Sequence, residues 1–136
     1  MIQTSLSLYE IELALCKSKY FSYLRNIIAF NVNGISSKLG IWHECDMLVL
    51  SKNGYLTEIE IKRSWEDFLA DFKKKHKHNS ELIKYFYYCV PISLLDKVYD
   101  YLYDNDIEYS GIITYTEDAL IEMHGNESCY VKRKSC

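Results

Sequence analysis

The chain has 136 residues, enough for one domain with a substantial core. A hydrophobic content of 49% and an aromatic content of 15% exclude a disordered chain. The formal net charge of −3 argues against nucleic acid when read over the whole chain, but its basic residues are unevenly placed.

Residues 7–20 read as the first helix. Ser7-Leu8-Tyr9-Glu10 matches a capping box, and Leu8, Ile11 and Leu15 mark an apolar stripe. Glu12 stands on that stripe, four residues after Leu8, whereas Glu10 points nearly opposite. A carboxylate there either finds a polar partner or bends out to water. Residues 26–32 predict the first strand, around Ile27, Ile28 and Phe30. Asn33-Gly34 closes it, and a loop follows to Gly40.

Residues 44–62 predict a hairpin, with Leu48, Val49 and Leu50 before the turn and Ile59 and Ile61 after it. Asn53-Gly54 allows two turns. A two-residue turn would set Asp46 on the opposite sheet face from Glu60 and Lys62. A three-residue loop, Lys52-Asn53-Gly54 with Gly54 left-handed, pairs Ser51 with Tyr55 instead. Leu48 then opposes Glu58, Asp46 opposes Glu60, and Glu44 opposes Lys62. The second turn is the one expected, because directly opposed carboxylates can bridge one hard divalent cation such as Mg²⁺. Cys45 should point away from Asp46, to the other face, and pack in the core. His43, a lone histidine, reads as structural.

After Lys62 a helix opens at Ser64, where Ser64-Trp65-Glu66-Asp67 resembles a capping arrangement. Phe68, Leu69 and Phe72 supply its buried side, while Asp67, Asp71 and Lys74 read as an exposed charge stripe. The chain holds two acid-x-lysine triplets. Residues two apart share a face on a strand but not on a helix, so Glu60-Ile61-Lys62 can form a site and Asp71-Phe72-Lys73 cannot. Between residues 62 and 78, six basic residues (Lys62, Arg63, Lys73, Lys74, Lys75, Lys77) face three acidic ones (Glu66, Asp67, Asp71), a local balance of +3 that suits phosphate. His76 and His78 have the wrong spacing for joint metal binding.

Tyr85 to Val90 predicts a further strand, ended by Pro91. A helix from Ser93 turns Leu94, Leu95, Val98 and Leu102 inward, Gly111–Tyr115 forms a late strand, and residues 119–124 add an edge strand. Residues 1–125 therefore read as a single domain, followed by a basic tail over 126–136 that carries Lys132-Arg133-Lys134. No apolar run is long enough to span a membrane, and residues 1–10 lack the basic start of a secretory signal. The five cysteines form no C-x-x-C pair, which speaks against zinc or a disulfide framework and for a reducing cytoplasm.

Asp46 and Glu60-Ile61-Lys62 on adjacent strands, with a helix before and after, resemble the PD-(D/E)XK nuclease superfamily. No proline precedes Asp46, a position that is loose in the family. Farther on, Glu60-Ile61-Lys62-Arg63-Ser64, Asp67-Phe68, Asp71, Lys73 and Tyr85-Phe86-Tyr87-Tyr88-Cys89-Val90-Pro91 are similar to its MmcB-type DNA-repair branch. The resemblance runs from about Leu8 to about Tyr115, with its specific motifs in residues 46–91.

It implies a restriction-endonuclease-like α/β fold, a mixed central sheet flanked by helices. It further implies phosphodiester hydrolysis on DNA, in repair or recombination, dependent on Mg²⁺ or Mn²⁺. Asp46, Glu60 and the carbonyl of Ile61 would hold the metal, and Lys62 would orient water and offset developing charge. Glu12 would reach the site from the first helix. Lys73, Lys74, Lys75, Lys77 and Ser64 would contact DNA. A homodimer is compatible with the sequence. Two other readings stand beside this one: a nuclease fold that has lost its chemistry and serves as a DNA-binding or scaffold module, and a plain structural domain whose hairpin charges face water.

Overall fold

The computed structural model describes residues 4–32, 44–72 and 82–124. The expectations for Lys73, Lys74, Lys75 and Lys77, for the loop around residues 33–40, for His43, His76 and His78, and for the basic tail lie outside the described residues.

The capping box forms as the sequence requires. Ser7 Oγ accepts the Glu10 N–H at 3.1 Å, and the Glu10 carboxylate accepts the Ser7 N–H at 3.0 Å. It opens α1, Leu8–Lys17, shorter at its end than the 7–20 expected because Ser18 caps it with extended backbone. Strands β1 (Ile27–Val32), β2 (Cys45–Leu50) and β3 (Leu56–Ile61) follow, then α2 (Trp65–Asp71) and β4 (Ile83–Pro91). A 3-10 turn at Ile92–Leu94 leads into α3 (Leu95–Asp104), and β5 (Ser110–Tyr115) and β6 (Ile121–Met123) complete the order.

The strands lie in one six-stranded sheet in the order of the sequence. β2 is antiparallel to both β1 and β3, β3, β4 and β5 are parallel, and β6 is antiparallel to β5. Parallel neighbours need crossovers, and the segments carrying α2 and α3 supply them. Two crossovers of one hand, made in one direction, put both helices on the same face. That face holds Phe68, Leu94, Val98 and Leu102 over Phe86, Tyr88, Val90 and Ile112. On the other face Ile11 and Leu15 of α1 pack over Met47, Val49, Ile59, Ile61, Tyr87 and Ile113. The domain is thus α/β, a mixed sheet flanked by helices. Among the described residues no helix is long and apolar enough to cross a membrane.

The hairpin takes the three-residue loop. Gly54 has φ +84, a conformation that an L side chain adopts only at a cost. Ser51 N–H donates to Tyr55 O at 3.0 Å, and Gly54 N–H to Ser51 O at 2.9 Å. Leu48 therefore opposes Glu58, and Met47 opposes Ile59. β3 is covered on both faces, so its alternation runs apolar on the α1 side and acidic on the α2 side. Glu58 and Glu60 are 0% and 2% exposed.

Candidate functional site

β2, β3 and the start of α2 bring the candidate groups together. Continuing the ladder from Met47–Ile59 sets Asp46 level with Glu60. Asp46 Oδ2 accepts the Ile61 N–H at 2.9 Å, and the Asp46 carboxylate shares a side-chain hydrogen bond with Glu60. Burial pushes the Glu60 carboxyl far above the usual range, and the hydrogen bond and charge of Asp46, then Glu58, push it the same way. At neutral pH Glu60 holds a proton, as two carboxyl groups this close must share one.

Glu12, on α1, lies near enough to Asp46 to feel its charge. It is half-buried, and its carboxyl is raised first by burial and then by the charge of Asp46. Asp46 thus stands where α1 and the acidic face of β3 meet. Glu10 is spent on the cap. These two glutamates give separable outcomes. Glu12→Gln should weaken cation binding in a calorimetric titration and leave thermal stability nearly intact, whereas Glu10→Gln should cost about 1 kcal/mol or less and spare the cation.

Three expectations need correction. Cys45 packs in the core as expected but does not turn away from the acids. It is fully buried beside Leu48 and Ile83, and its thiol is raised by burial and then by Glu58 and Glu60, with a hydrogen bond to Glu58. Strict alternation along β2 does not hold at Cys45; Asn31, level with Asp46 on the neighbouring β1, has φ 51, a left-handed conformation. Second, Lys62 does not meet Glu44, which is exposed; its ammonium lies 3.2 Å from Asp71 Oδ1. Third, Asp71 is not on an exposed stripe but 5% exposed, and its Oδ2 accepts the Tyr88 hydroxyl at 2.7 Å.

Lys62 is 4% exposed. Burial alone would lower its pKa, but Asp71, then Glu60 and Asp67, more than offset this, so the group stays an ammonium. Its backbone is fixed as well. The Lys62 N–H donates to Cys89 O at 2.8 Å, and its carbonyl accepts the Tyr115 hydroxyl at 2.8 Å. Arg63 donates twice to Leu6 O, at 2.7 and 3.1 Å, which ties the segment before α1 to the end of β3. Ser64 caps α2, its buried hydroxyl accepting the Asp67 N–H at 3.0 Å. That bond gives Ser64 a structural job without any DNA.

Sequence reasoning passed over Asp71, Tyr88 and Glu58 as site residues. The signal for Asp71 was present: it follows Phe68 by three positions on the buried side of α2. Tyr88 is level with Glu60 in the parallel β3–β4 register, which no local pattern reveals.

The donors suit a hard cation. Two carboxylates in contact form an all-oxygen pair, and Mg²⁺ is commonly held by one or two carboxylates with water completing its shell. Among the described residues no group of three or more His, Cys, Asp or Glu side chains is arranged to hold a metal ion. Any ion here would rest on Asp46 and Glu60, with Glu12 at longer range and the Ile61 carbonyl as the backbone candidate. The pH dependence follows from the raised Glu60. Native protein binds a proton that the unfolded chain releases, so stability is greatest below the ordinary carboxylate range and is lost as pH rises toward the raised native value. Glu12 adds the same sign. In chelator, thermal unfolding should occur at lower temperature at about pH 8 than at about pH 5, and Glu60→Gln should flatten the difference.

The fold and site define an α/β domain with a half-buried Asp46, a buried Glu60 and a buried ammonium at one end of its central strands. Comparison with known proteins finds no matching family model, no matching curated protein and no matching solved structure.

Proposed function

We propose that the protein is a divalent-metal-dependent deoxyribonuclease of the restriction-endonuclease-like fold, acting in DNA repair or recombination. One observation carries the reading: Asp46 and Glu60 share a hydrogen bond across adjacent strands, two residues before a buried, charged Lys62. Burying like-charged carboxylates side by side is costly, and a cation that replaces the shared proton removes that cost.

Asp46 and Glu60 would hold Mg²⁺ or Mn²⁺. The ion would supply Lewis acidity toward the phosphate and acidify a nearby water. Lys62, held as an ammonium, cannot serve as a base. Its role is to orient the attacking water and to offset negative charge that develops on the phosphate oxygens. Asp46, bonded to the Ile61 N–H, keeps its carboxylate turned toward Glu60. The lysines at 73, 74, 75 and 77 would hold the DNA through phosphates, which positions the strand without reading sequence.

A second reading is favoured by the commitment of Lys62 to Asp71, which would suit a fold that keeps its packing and binds DNA without cutting it. The two readings part in one assay. Purified protein with Mn²⁺ is expected to cleave at least one member of a panel of single-stranded, duplex, nicked and branched DNA. Asp46→Asn should lower that rate by about 10²-fold or more. Binding of DNA without cleavage across the panel would favour the inactive module.

A further inference from the structure

We infer that Asp71, with Tyr88 behind it, is the positioning residue that fixes the Lys62 ammonium beside Glu60. The functional meaning of that position rests on the hydrolytic reading above.

A lysine ammonium rides on a flexible four-carbon stem and has no fixed direction of its own. At Lys62 the direction is imposed. Asp71 Oδ1 takes the ammonium at 3.2 Å, and Asp71 Oδ2 takes the Tyr88 hydroxyl at 2.7 Å, so each oxygen of one carboxylate has its own task. The side chains of Lys62 and Asp71 are 6% and 1% exposed, which excludes the water that would otherwise let the pair exchange partners. Tyr88 is itself locked among aromatic rings, with centroids 5.1 Å from Phe68, 5.7 Å from Phe72 and 4.9 Å from Phe86. It stands level with Glu60 on the neighbouring strand.

Asp71 is also held from its own side. The Ser64 cap and the Arg63 N–H bond to Asp67 Oδ2 at 3.2 Å start α2 immediately after Lys62, and Phe68 packs the helix onto the sheet. The result is a rigid supporting shell around one charged group. Stability does not account for it, because a buried ion pair gives little net gain over apolar residues of the same volume. Placement of the charge does.

The test reads Lys62 directly and needs neither cation nor DNA. Metal-free full-length protein is treated with acetic anhydride and with an alkylating thiol reagent, and the modified residues are mapped by mass spectrometry. Cys89, fully buried in the core, reports opening of the whole fold. In Asp71→Asn, acylation of Lys62 should speed up by about tenfold or more while Cys89 stays protected. Tyr88→Phe keeps the ring packing and loses only the hydroxyl, so it should raise Lys62 reactivity by about threefold, again with Cys89 protected. Unchanged Lys62 reactivity in both variants would overturn the inference. So would a parallel rise at Lys62 and Cys89, which would mean that Asp71 merely holds the fold together. Cleavage assays on the same variants should show kcat falling with KM little changed. Wild-type protein that cuts no DNA would sink the nuclease reading, while the labelling ratio would still decide whether Asp71 positions Lys62.

Discussion

Lys62→Met is expected to destabilise the protein by about 3–5 kcal/mol, the cost of leaving one partner of a buried ion pair alone. The loss arises at Asp71. Its carboxylate would keep the Tyr88 hydroxyl but lose the ammonium 3.2 Å away, in a place with almost no access to water. Adding Asp71→Asn should recover much of the loss, because the amide oxygen still accepts from Tyr88 and no charge remains buried. The coupling between the two changes should reach roughly 1–3 kcal/mol in a double-mutant cycle. Urea denaturation checks this, with the midpoint moving and the m-value constant. At urea-free conditions where Lys62→Met is still folded, DNA cleavage should fall by about 10²–10³-fold. A drop in stability below about 1 kcal/mol would mean that Asp71 finds other compensation.

The hairpin was legible in position from Asn53-Gly54, while the choice of the three-residue loop rests on the pairing of Asp46 with Glu60 that it allows. Asn-Gly after a lysine fits a left-handed bulge, and once Gly54 takes φ +84 the facing pairs follow by counting. The α1 cap was equally legible, since Ser7 and Glu10 satisfy each other's backbone N–H groups within four residues. The order of strands and helices followed from periodicity and turn residues.

What escaped was set by contacts distant in sequence or by a break in regular geometry. Strict alternation sends Cys45 away from Asp46, yet Cys45 packs with Leu48 and Ile83 and lies beside Glu58. Asp71 was read as one of three charges along a helix, although Phe68 and Phe72 show that side of α2 to be buried. A buried aspartate needs a cation, and hairpin counting pairs Lys62 with Glu44 instead. Tyr88 looked like one aromatic among many in β4. Only the parallel register with Glu60 and the turn of α2 above it give its hydroxyl a task. The location of the carboxylate pair was therefore readable, and the support around the lysine was not.

The second large effect concerns the cation. Bound to the native state alone, Mn²⁺ should stabilise the protein by RT ln(1 + [L]/Kd), about 2.7 kcal/mol at a hundredfold excess over Kd. Binding must displace the proton shared by Asp46 and Glu60, so affinity should rise with pH and each ion bound should release a proton near neutrality. Asp46→Asn removes the charge that helps to raise Glu60, so less proton uptake is needed to fold near neutrality, yet it leaves an oxygen to accept the Ile61 N–H. It should therefore raise the stability of the metal-free protein at neutral pH and abolish the gain from Mn²⁺.

Thermal unfolding of wild type and Asp46→Asn, each in chelator and in Mn²⁺, tests the carboxylate pair most directly. The account predicts a higher unfolding temperature with Mn²⁺ for the wild type alone, and a higher unfolding temperature in chelator for Asp46→Asn than for the wild type. A wild type indifferent to Mn²⁺, or an Asp46→Asn protein stabilised by the ion as much as the wild type, would contradict it.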